Sequence, residues 1–196
     1  KKAVARGCFT MLEFVSRDSV LNAEMPMLLE DDKVDGIVVV GSMGKEYLEK
    51  LEKAYLLHRC SRYDLRGKEI LKTQEKFYLA DTALRYSVLG YTPDSVASSL
   101  ENVVYLELCR RGYTVTIGKT PDGEVDFVAQ KQNDRLYVQV TQEIKSEKTE
   151  KREYERLLEI RDNYPKYVLR TDEFAGGNYQ GIKSMHIADF LLSTEY

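Results

Sequence analysis

Apolar and polar positions along the chain fall into blocks whose period changes several times. Near the start, KKAVARGC, TMLEFVS, AEMPMLLEDDKV and the apolar run DGIVVVGS alternate helix-like with strand-like pieces, which predicts a βαβ fragment over residues 1–45. After it, Leu48, Leu51, Tyr55 and Leu56 recur at helical spacing, and HRCSRYD, RGKEIL and KFYLAD predict short strands around a turn at Gly67. A helix followed by a basic hairpin gives residues 46–97 the outline of a winged-helix-like linker region.

From residue 98 the pattern sharpens. SLENVVYLELCRRG is an amphipathic helix stopped by Gly112, a residue suited to a left-handed cap. YTVTIGK, EVDFVAQK and RLYVQVT follow as strands, separated by turns at TPDG and QND. SEKTEKREYERLLEIRDNY carries opposite charges at helical spacing and predicts a helix with a solvated face. The strand KYVLR, a loop at Gly176 and Gly177, the strand GIKSMHI with His186 as a core histidine, and the short helix ADFLL complete an αβββαβ order over 98–196.

Composition narrows the class. A chain of 196 residues, 43% hydrophobic and 31% charged, suits one globular domain or one plus a fragment. Apolar runs such as Ile37 to Val40 fall far short of the roughly 20 residues that span a bilayer, and KKAVARGCFTML lacks a signal-peptide cleavage pattern. A cytoplasmic protein without a membrane partner is expected. Cys8, Cys60 and Cys109 form no CxxC pair, and with only His58 and His186 a zinc site is not expected. The net charge of -3 gives no global attraction to nucleic acid. DNA or RNA as partners would need a local patch, for which Arg62, Arg66 and Lys68 of the hairpin are the candidates, with Tyr63 among them. The plainer reading is a solvated hairpin, its charge diluted by Asp64, Glu69 and Glu75.

Several blocks carry a family likeness. KFYLADTALR, ENVVYLELCRRGYTV, GEVDFV, YVQVT, DNYPKYVL and GIKSMHIADFLL make residues 46–192 resemble the C-terminal domain of unknown function found behind AAA-type ATPase modules. The resemblance implies a winged-helix-like stretch, then a restriction-endonuclease-like, or PD-(D/E)xK, domain over 98–196, and an AAA-type ATPase module as partner in cis or trans. The chain contains no GxxxxGK[ST] phosphate loop; in GSMGKEYL the spacing differs and Glu46 follows Lys45. Separately, LLEDDKVDGIVVVGSMGKEYLEKLEK makes residues 1–53 similar to part of a lac-repressor-type effector-binding domain, which implies a ligand-sensing fragment.

Matching the nuclease motif residue by residue puts Glu101 at the helix acid, Asp126 at the first strand acid, Gln139 at the second acid and Thr141 at the lysine. Such enzymes hold Mg2+ between carboxylates, here Glu101 and Asp126, and use an ammonium near the reacting phosphate. Gln139 offers only a neutral oxygen and Thr141 no cation, so Lys131 or Lys145 would have to reach in. A degenerate, inactive or very weak nuclease is expected, with Asp126 kept for hydrogen bonding, Glu101 bracing its helix and Glu124 facing solvent or pairing with a neighbouring strand. The rivals are an active Mg2+-dependent nuclease using Glu101, Asp126 and Gln139, and a fragment of a ligand-sensing repressor.

Overall fold

A computed structural model describes residues 45–194 apart from 94, 145, 174 and 175. Residues 1–44 of the βαβ fragment expected over 1–45, and with them most of the repressor-like stretch 1–53, lie outside the described residues. The described chain runs α1 (Lys45–Lys53), β1 (Leu57–Asp64), β2 (Glu69–Leu79), α2 (Thr82–Leu89), α3 (Ser95–Arg110), β3 (Thr114–Thr120), β4 (Gly123–Lys131), β5 (Asp134–Val140), α4 (Glu147–Leu158), β6 (Lys166–Arg170), β7 (Gly176–Tyr179), β8 (Ile182–His186) and α5 (Ile187–Leu192).

The residues cluster into two units, one taking 45–58 and 79–91 of the described chain, the other 59–78 and 92–194. In the first, α1 buries Leu51 and ends earlier than the spacing of Leu48, Leu51, Tyr55 and Leu56 predicts. Tyr55 takes a φ of 57° and is exposed, so the chain turns there. The N–H of Ala80 donates to the carbonyl of Leu56 at 3.1 Å. α2, which the pattern did not reveal, starts on Asp81, whose carboxylate accepts from the N–H of Ala83 at 2.7 Å, and stops at Gly90 with φ 70°.

The second unit is built on a mixed sheet in the order β2-β1-β3-β4-β5-β6-β8-β7. β1/β3, β5/β6 and β6/β8 are parallel; β3/β4, β4/β5 and β7/β8 are antiparallel. RGKEIL and KFYLAD form one strand, β2, rather than two. Pairing of β1 with β3 joins the hairpin to the sheet across the boundary expected near residue 97.

Alternation along the strands sends Phe127, Ala129, Leu136, Val138, Tyr167 and Leu169 into one core with Val104 and Leu108 of α3 and Phe190 of α5. Val125, Val128, Tyr137 and Val168 form a second core with Tyr154 and Leu157 of α4. The sheet is therefore covered on both faces, as its parallel pairs require. α4 keeps the expected solvated side, but its charged sequence concealed a buried one: Glu153, Tyr154 and Leu157. α3 ends as predicted, Gly112 taking φ 84° while Tyr113 N–H donates to the carbonyl of Leu108 at 3.1 Å. His186 is not a core histidine. It is half-buried at the start of α5, where Nδ1 accepts from the N–H of Ala188 at 3.1 Å and Nε2 lies 3.2 Å from the carbonyl of Thr171.

Candidate functional site

Between the pairs Thr116/Val128 and Gly118/Val125, β4 advances three residues while β3 advances two. The extra residue makes a bulge at Asp126 and Phe127, and bulges re-aim side chains. Val125 and Val128 consequently face the same way, both against Gly118, where a Cβ would lie 2.9 Å from Val128 Cγ2 and 3.3 Å from Val125 Cβ. Phe127 packs near Tyr78 and Tyr105, with ring centroids 5.7 and 5.9 Å away.

Asp126 stands at the bulge beside β5. Its Oδ2 accepts from the N–H of Val140 at 2.8 Å, and its own N–H donates to Gln139 Oε1 at 3.3 Å. The register that pairs Phe127 with Val138 sets Asp126 opposite Gln139 on the neighbouring antiparallel strand. Gln139 is buried and commits the other end of its amide to α4, Nε2 donating to Glu153 Oε2 at 3.0 Å. Glu153 Oε1 accepts from Arg152 Nη2 at 2.6 Å.

Glu101 sits within α3, where its Oε1 accepts from the Tyr78 hydroxyl at 2.5 Å and from Lys76 Nζ at 3.0 Å. Burial and then the Glu101 carboxylate push the Asp126 carboxyl up to about 7, against the Val140 N–H and the Lys76 charge. Burial, with Glu101 again adding, also raises the Tyr78 hydroxyl, and burial takes the Cys60 thiol up to about 12.

The structure therefore brings Glu101, Asp126 and Gln139 into one neighbourhood. Thr141 lies one residue past the end of β5, its N–H donating to the carbonyl of Leu169 at 2.9 Å. Lys131 is bonded at the other end of β4, Nζ donating to the carbonyl of Arg111 at 2.9 Å, and Lys145 lies outside the described residues. The ammonium near the acids comes instead from Lys76 on β2, a strand outside the nuclease motif. Glu153 is a further acid that motif matching missed; its only signal is its place three residues before Arg156 and four before Leu157, on the apolar side of α4.

A hard cation needs several oxygens converging at 2.0–2.6 Å. Among the described residues no three His, Cys, Asp or Glu side chains gather closely enough to hold one. The Gln139 oxygen is taken by a backbone N–H, and its amide nitrogen faces the buried Glu153. The groups present do not fit Mg2+.

The hairpin residues part company. Arg62 is only 12% exposed and binds Glu124 through two bonds of 2.9 and 3.2 Å. Burial alone would raise the Glu124 carboxyl, but the Arg62 guanidinium holds it below its ordinary value. Arg66 and Lys68 are exposed at the turn. No helix among the described residues is long and apolar enough to cross a membrane.

Residues 41–95 match a domain of unknown function, DUF8612. Over 147 residues, 75% of its length, the chain is 41% identical to an uncharacterized protein of Haemophilus influenzae. The aligned stretch covers 36% of that relative, so the chain spans about a third of the length of the protein it matches. No solved structure matches the chain.

Proposed function

We propose that residues 98–196 form a restriction-endonuclease-like domain that has lost metal-dependent cleavage, and that the chain serves as an accessory or interaction module of an AAA-type ATPase, in cis or in trans, in the cytoplasm. The fold part of this reading is supported by the order α3, the antiparallel β3-β4-β5, α4 and then β6 parallel to β5. The winged-helix-like reading of 46–97 draws on α1 followed by the β1–β2 hairpin. The accessory role draws on the family resemblance and on the relative's extra length beyond the aligned region.

The observation that carries the loss of cleavage is the position of Gln139, which bridges the Asp126 N–H to Glu153 where a cleaving site would present a second acid to a cation. One observation favours the rival, an active nuclease: Lys76 restores an ammonium beside Glu101 that Thr141 cannot supply. The two are separated by incubating the protein with Mg2+ or Mn2+ and with duplex DNA, single-stranded DNA and RNA. Little or no cleavage is expected, and cleavage appearing in Gln139→Glu, Thr141→Lys would show that geometry survives where charge was lost. Robust wild-type cleavage abolished by both Asp126→Ala and Lys76→Ala would establish the rival.

A further inference from the structure

The opposite end of β4 and β5 carries a second polar feature. Lys131 is five residues along β4 from Asp126, roughly 16 Å at 3.3 Å per residue. There an open groove of about 490 Å³ is lined by Arg111, Tyr113, Lys131, Asp134, Arg135 and Tyr164, among others. Of its cations, Arg111 is already held by Glu107 and by the carbonyls of Phe190 and Leu191, which leaves Lys131 and Arg135 against Asp134 in a chain that is acidic overall at -3.

The side-chain bonds of Arg135 go to neutral groups. Its Nη2 donates to Gln130 Oε1 at 2.9 Å and its Nη1 to the Tyr137 hydroxyl at 3.5 Å. The guanidinium lies 5.5 Å from the ring centroid of Tyr63 and 5.6 Å from that of Tyr164. Lys131 lies 5.9 Å from the ring of Tyr113 and, among the described residues, bonds a backbone carbonyl. Neither cation has a carboxylate partner among the described residues, whereas Arg62, Arg59 and Lys76 on the hairpin all do. Tyr164 is 42% exposed, an aromatic face at the groove.

We propose that this groove binds single-stranded nucleic acid, Lys131 and Arg135 taking backbone phosphates while an unpaired base stacks on Tyr164. Alternation of cations with flat rings matches a strand that repeats an anion and a ring; a duplex hides its base faces, and an acidic peptide would leave the rings unused. The volume suits about one or two nucleotides at the groove itself.

The test is fluorescence anisotropy of labelled 12-nucleotide single-stranded DNA and RNA with the full chain in EDTA, so that cleavage plays no part. Binding is expected at low salt with a log–log slope of about -1.4 for two phosphates. Lys131→Glu should weaken it about tenfold or more and flatten the slope. Tyr164→Ala, at an exposed loop position, should weaken it by about five- to a hundredfold without changing the slope. Arg66→Ala with Lys68→Ala should leave it unchanged. No binding at low salt, equal capture of poly-glutamate, or binding lost with the hairpin variants and kept in Lys131→Glu and Tyr164→Ala would each overturn the assignment. Because metal is absent throughout, failure here leaves the reading of the Asp126 site intact, and failure of that reading leaves this groove.

Discussion

The two ends of the β4–β5 ladder hold their charges in opposite ways. At one end Glu101, Asp126 and Glu153 are bonded inward, to Tyr78 and Lys76, to a backbone N–H, and to Gln139 and Arg152. At the other end Lys131 and Arg135 keep their positive charge without an acid partner among the described residues and stand beside aromatic rings. Inward bonding makes charge a determinant of stability, whereas unopposed charge near the surface adds little to folding and stays available to a ligand. The first end should therefore answer to substitution through stability and the second through binding.

The largest departure is expected from Asp126→Asn. The carboxyl binds its proton more tightly in the folded chain, at about 7, than at its ordinary value of 3.8. Its favourable contribution is thus full below about pH 4 and lost as pH rises through about 7. Asn keeps an oxygen for the Val140 N–H without the charge, so at pH 8 it should stabilise the protein by about 2–4 kcal/mol, allowing for some screening, and near pH 3.5 the gain should vanish. Urea denaturation across that range measures it. A variant equal in stability to wild type across the whole pH range would mean that the Asp126 charge does not bear on folding, and the comparison would break at its first end.

Next comes Gln139→Leu, which fills similar space but leaves the Glu153 carboxylate without its amide donor and the Asp126 N–H without its acceptor. An orphaned buried polar group costs about 1–3 kcal/mol, so a loss of about 2–3 kcal/mol is expected. Replacing Glu153 by Gln in the same background should recover part of it, which a double-mutant cycle in urea would read. Gly118→Ala should cost about 1–3 kcal/mol, because the new methyl meets Val128, Leu65 and Val125 at 2.9–3.3 Å. An unchanged denaturation midpoint would show that the bulge can relax and that Asp126 is not firmly placed.

Much of this arrangement was legible before the structure. The two-residue period of EVDFVAQK and RLYVQVT placed Asp126 and Gln139 on adjacent strands, and Gly112 marked the end of α3. Three features were not legible, for distinct reasons. The bulge leaves no mark in a periodic reading, since Val125 and Val128 look out of phase until the register to β3 is known. Lys76 reaches Glu101 through the parallel pairing of β1 with β3, a non-local contact that no local pattern encodes. Glu153 was hidden because a buried acid within a run of charges reads as surface, and burial there depends on Gln139 from another element. Arg62 misled in the converse sense: a basic residue in a basic hairpin is half of an internal ion pair with Glu124.

The smallest expected effect on folding sharpens the comparison at its other end. Lys131 is exposed, and among the described residues its ammonium meets a carbonyl and the ring of Tyr113 but bonds no acid. Lys131→Ala should therefore change stability by less than about 0.5 kcal/mol, the usual range for surface positions. Exposed contacts of a cation with a ring are themselves worth only about 0.5–1 kcal/mol, and removing the ammonium also relieves repulsion from Arg135, while Asp134, opposite Lys131 in the ladder, loses a weak attraction. Thermal and urea denaturation at low and at high salt decide the point. If the loss exceeds about 1.5 kcal/mol and is insensitive to salt, Lys131 is bound into the structure as firmly as the acids near Asp126, and both ends of the ladder serve the fold. If stability holds while nucleic-acid affinity falls, one strand pair carries a structural charge network at one end and a working cationic surface at the other.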